Sequence, residues 1–477
     1  MKRKNIKKVF LVYPPGKVYQ RGEDRCQSNI SDSSATTLRA CNDLGYMAAV
    51  LRQQGKACKI RDYMGAKLGW DDYFQELKEF SPDVLVISVT NATLLEDIIA
   101  FKKAKEFNPD IITIAKGAVF FNLKPEVFKH ENFKFMDYAI FGEAETIIDK
   151  LIQAVDENYP PHSVRGILYW QKEKLIKNKP TDFRENLDTL PFPARDLMDN
   201  SLYIRPDTRE IQATIQVSRG CPSSCIFCLT PIISGKKLRM RSVNNVLDEL
   251  YECMERYHIR NFFFRADTFT INEQFVLDLC AQIKKRKLDI SWVANSRTKP
   301  VSLEMFQAMK AAGCWLIALG IEVGTQETLD KIKKGTNVED AVNAVNLAKQ
   351  AGLKTYGFYM FGFPWEKKEA MEKTLKLAID LSCDFNEFHL AVPYEGTELY
   401  NLCENQGLIN ETSLEHDYFT NPMINTNYMS RNELIKFRNY ANIRFHCRLK
   451  YICQLLKNIK SFRELKNYLM FGIKKIL

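Results

Sequence analysis

Two separate blocks of this chain alternate short apolar runs with amphipathic helical patterns, and that alternation limits the possible folds. The first block spans residues 6 to about 155. "KKVFLVYPP", "KACKIRDYM", "DVLVISVT", "IITIAKG" and "MDYAIFGEAE" read as strands, with helical patterns such as "LGYMAAVLRQQG" and "IIAFKKAKEF" between them. "DVLVISVT" is almost continuously apolar, as expected of a central parallel strand buried on both faces. A doubly wound α/β domain follows, and in such sheets ligands bind beyond the carboxyl ends of the strands. The loops to watch are those at Pro14, Pro15 and Gly16, at Ser88 to Thr93, at Gly117, and at Gly142 and Glu143.

The second block starts at about residue 212. Its strand candidates are "QATIQVS", "RNFFFRAD", "DISWVANS", "CWLIALGIE", "KTYGFYMFG" and "NEFHLAV", each followed or preceded by a helical pattern. Six β/α units predict an open partial barrel, whose chemistry sits where strands give way to loops. Between the blocks, residues 156–211 are proline-rich and read as a connecting segment with a small hairpin around "RGILYWQKEKLIKN". At 477 residues the chain is too long for one core. The expected domains are residues 1–155, a linker at 156–211, a barrel at 212–400 and a helical region at 401–477.

On the loop after the first barrel strand stands "SRGCPSSCIFC", which places Cys221, Cys225 and Cys228 in a C-x3-C-x2-C pattern. Structural zinc takes four ligands, usually as two separated pairs, and no second pair is present. A cubane iron–sulfur cluster has four irons to ligate, so three cysteines leave one iron open to a cofactor or substrate. The remaining ten of the thirteen cysteines are dispersed. That excludes a secreted disulfide scaffold and predicts a reducing cytoplasm. No apolar run is long enough to span a bilayer. The apolar stretch at residues 355–365 reads as buried core, and Val9 to Tyr13 as a strand rather than a signal core.

The formal charge of +10 is localised: residues 431–477 hold twelve Lys/Arg against two Asp/Glu, and the rest is balanced. Such a tail is either a solvated helical face or a peripheral contact with a membrane or an anionic partner. A nucleic-acid footprint is not supported, because the charge is confined to the end.

The cysteine motif, with an aromatic Phe227 before its last cysteine, resembles the signature of radical S-adenosylmethionine enzymes. "LGYMAAVLRQQG", "FGEAE", "LPFPARDL", "FRADTFT", "GIEVGTQETLDKIKKG", "FGFPWE" and "PYEGTELY" follow in the order seen in one subfamily. That subfamily joins a cobalamin-binding domain to a radical S-adenosylmethionine barrel. The resemblance covers most of residues 8–405. It implies a [4Fe–4S] cluster on Cys221, Cys225 and Cys228, whose open iron chelates S-adenosylmethionine. Reductive cleavage then gives a 5′-deoxyadenosyl radical. It further implies cobalamin, methyl transfer to an unactivated carbon of a small-molecule or lipid-like substrate, and an external electron donor such as flavodoxin or ferredoxin. Cobalamin-associated cyclisation, oxidation or rearrangement is the alternative. Outside enzymology, a cobalamin-binding module with a structural metal is the other class.

The resemblance assigns S-adenosylmethionine contacts to Phe227, Asp267, Arg297, Glu322 and Gly362. Read on their own, Asp267 also suits a helix N-terminus and Arg297 a salt bridge. Glu322, emerging from a buried strand, calls for a cationic partner, and Gly362 suits a turn. For cobalamin the resemblance points to Pro15, Ser88, Thr90, Gly117, Gly142 and Glu143. Lys116 stands where the family often has a second glycine, and Ala266 where it often has a second acid. None of the six histidines (His130, His162, His258, His389, His416, His446) lies in an Asp-x-His-x-x-Gly context, so no protein histidine is expected on cobalt. The polar loop at residues 19–34 is long for a connection after a first strand and suits closure over a site.

Overall fold

The structure is a computed structural model and describes residues 5–19, 38–409, 422–457 and 467. The first block forms a sheet from β1 (Lys8–Tyr13), β2 (Ala57–Asp62), β3 (Val84–Ser88), β4 (Ile112–Lys116) and β5 (Tyr138–Ile140), all parallel, in the order β2-β1-β3-β4-β5. Strands β3 and β4 are buried along their whole length, because helices cover both faces. The order reverses between β1 and β3, which makes their carboxyl ends the topological switch point.

The hairpin expected inside the connecting segment belongs to this sheet. Strands β6 (Ile167–Gln171) and β7 (Lys174–Lys177) continue it antiparallel from β5. Ile167, Leu168 and Tyr169 are buried there, and burial of that apolar strand is what docks the hairpin.

The second block forms β8 (Gln212–Gln216), then a short antiparallel ribbon of β9 (Ser218–Arg219) and β10 (Arg239–Met240), then β11 (Asn261–Arg265), β12 (Ser291–Arg297), β13 (Cys314–Glu322), β14 (Lys354–Phe361) and β15 (Phe385–Leu390). Apart from the ribbon these strands form one parallel sheet in sequential order from β8 to β15, an open six-stranded barrel wall. The stretch at 355–365 is buried on one side only along β14. Thr355, Gly357, Tyr359 and Phe361 are buried, whereas Tyr356, Phe358 and Met360 are half-buried. Tyr359 and Phe361 join the core beneath the covering helices, so the other three line the inner face.

Part of the basic C-terminal region closes the barrel core rather than lying free. The helix Arg431–His446 buries Leu434, Phe437, Ala441 and Phe445, with Phe437 edge-on to Phe361 at 5.1 Å. Ser430 caps it, with Glu433 completing a capping box. Its outer face exposes Tyr440 and Ile443, and the helix Leu449–Lys457 exposes Leu449 and Ile452. Among the described residues no helix is long and apolar enough to cross a membrane. Most of the loop at 19–34 lies outside the described residues, as does most of the chain after 457.

Candidate active site

The cysteine loop is fixed by backbone bonds to three other segments. Cys221 N donates to the Gly235 carbonyl (3.2 Å) and Ile226 N to the Ile332 carbonyl (3.1 Å), while the Ile226 carbonyl accepts from Leu399 N (3.0 Å). Gly220, just before the first cysteine, has φ +82°, and a Cβ there would run into the Lys237 carbonyl. Only glycine suits that turn. Beneath the loop Ile226, Leu329, Phe363 and Leu399 form a separate apolar cluster. Phe227 packs beside Phe363 at 6.1 Å between ring centres, so here its observed partner is the floor of the loop.

All three thiols are free and reach different neighbours. Cys225 Sγ accepts from Arg297 Nη1 (3.4 Å), Cys228 Sγ accepts from Thr230 N (3.4 Å), and Cys221 Sγ lies 3.9 Å from Thr268 Oγ1. Among the described residues no group of three Cys, His, Asp or Glu side chains is placed to hold a single metal ion. Burial pushes the Cys225 thiol up, against the opposing pull of Lys334 and Arg297. Those two cations favour the thiolate that a metal ligand must be.

A linked group flanks the loop. Arg297, the last residue of β12, donates through Nη2 to the Lys334 carbonyl. Lys334 Nζ lies 2.5 Å from Glu322 Oε1, with both side chains nearly buried. The cationic partner that Glu322 calls for is thus supplied by the chain itself. Glu322 ends β13 at φ +69°, and Gly320 leaves room for the pair, since a Cβ there would sit 2.6 Å from Glu322 Oε1. Asp267 Oδ1 accepts from Thr230 Oγ1 (3.4 Å), which ties the end of β11 to the last cysteine's neighbour. Gly362 turns at φ +83°, and the Cβ it lacks would point at Leu434 of the C-terminal helix, 3.1 Å away. Its N–H and that of Phe363 both donate to Glu366 Oε2 (2.9 and 3.0 Å).

The carboxyl edge of the first sheet faces this loop. A polar cavity between that edge and the barrel residues flanking the loop is bordered by Asp43, Lys116, Gly142, Glu145, Arg219 and Asp267. At the switch point Asp43 accepts from Tyr13 at the end of β1 (2.5 Å) and from Ser88 at the end of β3 (2.9 Å). Lys116 Nζ, at the end of β4, completes the group at 3.2 Å. Burial raises the Asp43 carboxyl, but Lys116 and the two hydroxyl donors outweigh it and hold the group below the usual carboxylate range. Thr90 is bonded locally, through its N–H to Asp97 (3.3 Å) and its hydroxyl to Thr93 (2.9 Å). Pro15 is buried. A Cβ on Gly117 would lie 2.8 Å from the Val89 carbonyl, so β4 and the loop after β3 touch there. Glu143, beside Gly142, is buried and turned toward Arg219 and Arg239 of the barrel ribbon.

A match to the Radical SAM superfamily spans residues 215–378, from β8 into the helix after β14. That segment, about a third of the chain, is similar to radical SAM domains. An uncharacterized methyltransferase of Pyrococcus horikoshii is 29% identical over 445 residues, 93% of this chain and 94% of its own length. The cytidylyl-2-hydroxyethylphosphonate methyltransferase of Streptomyces wedmorensis is 25% identical, over 88% of this chain and 86% of its own. Among solved structures, the cobalamin-dependent S-adenosylmethionine radical enzyme OxsB, with aqua-cobalamin and S-adenosylmethionine bound, superposes with a TM-score of 0.77. That match covers 99% of this chain and 72% of OxsB at 16% identity, a shared fold.

Around the radical SAM loop, the structure adds residues that the sequence reading missed. Lys334, Thr230 and Thr268 all touch a cysteine or a residue paired with one. The lysine in "DKIKKG" was visible, but nothing local tells which of Lys333 and Lys334 turns inward: Lys334 is buried and Lys333 pairs with exposed Glu398. Asp43 and Tyr13 were likewise hidden, since each lies inside an apolar pattern.

Proposed function

We propose that this chain is a cobalamin-dependent radical SAM methylase of a small organic substrate. One observation supports the reading: the carboxyl edge of the first sheet and the barrel residues on either side of the cysteine loop, Arg219, Ile233 and Ser234, line the same polar cavity. The residues fit the groups expected there. Three separated thiolates on a braced loop suit a cubane with one open iron. A switch-point edge whose polar side chains bond one another suits a broad polar ligand such as a corrin. When bound, the cluster with S-adenosylmethionine supplies a carbon radical, and cobalamin a transferable methyl group.

The chain's own residues bind, orient and exclude water. Arg297, fixed by the Lys334 carbonyl, holds a fork of donors beside Cys225 that suits the carboxylate of S-adenosylmethionine. Asp267, at the end of β11, offers acceptors for an amine or ribose hydroxyls. Half-buried Tyr356, Phe358 and Met360 give the barrel interior an apolar wall for the substrate's carbon skeleton. The same reading includes an external electron donor such as flavodoxin or ferredoxin. It also includes a reducing cytoplasm, which twelve free cysteines among the described residues suit. Exposed Leu449 and Ile452 beside Arg448 and Lys450 support a peripheral membrane contact.

The test is anaerobic reconstitution followed by reductive turnover with methyl-labelled S-adenosylmethionine and the small-molecule fraction of a cell extract. Methylase activity yields 5′-deoxyadenosine together with S-adenosylhomocysteine and a labelled product. Deoxyadenosine with no S-adenosylhomocysteine would establish cyclisation or rearrangement instead.

A further inference from the structure

Two arginines of the barrel grip two glutamates of the first domain beside the cysteine loop. Arg219 and Arg239 are directly paired across the ribbon β9–β10. Arg239 Nη1 donates to Glu143 Oε2 at 3.0 Å, and its Nη2 lies 2.7 Å from Glu143 Oε1 as an ion-pair contact without hydrogen-bond geometry. Arg219 Nη1 pairs with Glu145 and lies 3.2 Å from Glu143 Oε1. All four side chains are nearly buried. Arg184 N adds a third donor to Glu143 (3.2 Å), and the Tyr46 ring lies 5.8 Å from the Arg219 guanidinium.

The position of this cluster in the chain gives it meaning. Arg219 stands two residues before Cys221, with only the constrained Gly220 between them. Glu143 and Glu145 follow Gly142 on the loop after β5, one of the loops at the carboxyl edge of the sheet. A displacement of one loop is therefore passed to the other through a few bonds. Two cations face two anions, so the charges cancel. Buried pairs of this kind add little net stability but fix geometry through their direction.

We propose that Arg219, Arg239, Glu143 and Glu145 are positioning residues that set the separation and orientation of the cluster relative to the corrin. This rests on the two-cofactor reading above. Glu143 then serves by holding the domains in register rather than by touching the corrin.

The test is pulsed EPR on the full chain loaded with cob(II)alamin and the reduced cluster, without S-adenosylmethionine, which the reduced cluster would cleave. The parent should show one narrow distribution of cobalt–cluster distances. Glu145→Gln, which keeps size and removes charge, and Arg219→Lys should each broaden or shift it while iron and corrinoid contents stay at parental levels. A purely stabilising role would lower the melting temperature and leave the distribution unchanged, and that outcome overturns the proposal. Should Arg219→Lys lose iron, Glu145→Gln decides, because it lies on the other domain. A parent that takes up no corrinoid defeats the functional reading instead. The clamp is then read in the cofactor-free chain, where Glu145→Gln should speed proteolysis of residues 178–211, and an unchanged rate overturns it.

Discussion

Lys116 Nζ lies 3.2 Å from Asp43 Oδ2 in a nearly buried pair that joins the ends of three parallel strands. A long cation at that place would obstruct a ligand if it projected from the edge. Folded onto Asp43, it becomes part of the wall.

Removing it leaves Asp43 buried with two neutral donors. Lys116→Met should destabilise the protein by about 3 kcal/mol at neutral pH, as when one partner of a buried pair is lost. The folded carboxyl lies below its unfolded value, so its contribution is present above the unfolded pKa and fades as pH falls through the folded one. The parent–variant gap in thermal unfolding should therefore narrow in acid. Lys116→Met/Asp43→Asn should recover part of the loss.

Glu366 behaves in the opposite sense. Burial raises its carboxyl to about 7, despite two backbone donors that favour the charged form. The folded group binds its proton more tightly than the unfolded one, so stability is lost as pH rises through the folded pKa. Glu366→Gln should gain on the parent between pH 5 and pH 8 by on the order of 2 kcal/mol. Melting curves at the two pH values check this, and an unchanged difference would show that the carboxyl stays ionised.

Glu249, on the helix Val243–Tyr257 after the ribbon, holds two guanidinium groups. Arg195 Nη2 is 2.6 Å from its Oε1, both side chains fully buried, and Arg241 meets the other oxygen. Glu249→Ala should cost about 3–5 kcal/mol, because it strands buried charge. Chemical denaturation reads the loss, and a near-neutral result would mean that water reaches Arg195.

Gly220→Ala should abolish iron uptake while leaving the first sheet folded, because the added methyl collides with the Lys237 backbone in a left-handed turn. Iron content and far-ultraviolet dichroism together separate this from global unfolding.

Much of this was legible in the sequence, for reasons that differ by element. Strands β3 and β4 announced themselves by continuous apolar runs, and the cysteine loop by spacing alone. β14 was harder: apolar on both faces, it read as buried throughout, yet Tyr356, Phe358 and Met360 face the interior of an open barrel. The hairpin β6–β7 looked like part of a linker because prolines flank it, and its docking on β5 is a tertiary choice. The pairs Glu322–Lys334, Asp43–Lys116 and Glu143–Arg239 join residues that no local pattern connects. Ser88, Thr90 and Glu143 stand out in the sequence by their place on the loops after the strands, and the bonds their side chains make within the protein are visible only in the structure.

The measurement closest to the central claim is cofactor content after anaerobic reconstitution with iron, sulfide and hydroxocobalamin. The account predicts a brown protein with about four irons per chain and an equimolar corrinoid whose cob(II) EPR spectrum shows no protein nitrogen on cobalt. It also predicts that Cys225→Ala loses the iron and keeps the corrinoid. Zinc in place of iron, or a chain that retains no corrinoid, would contradict it.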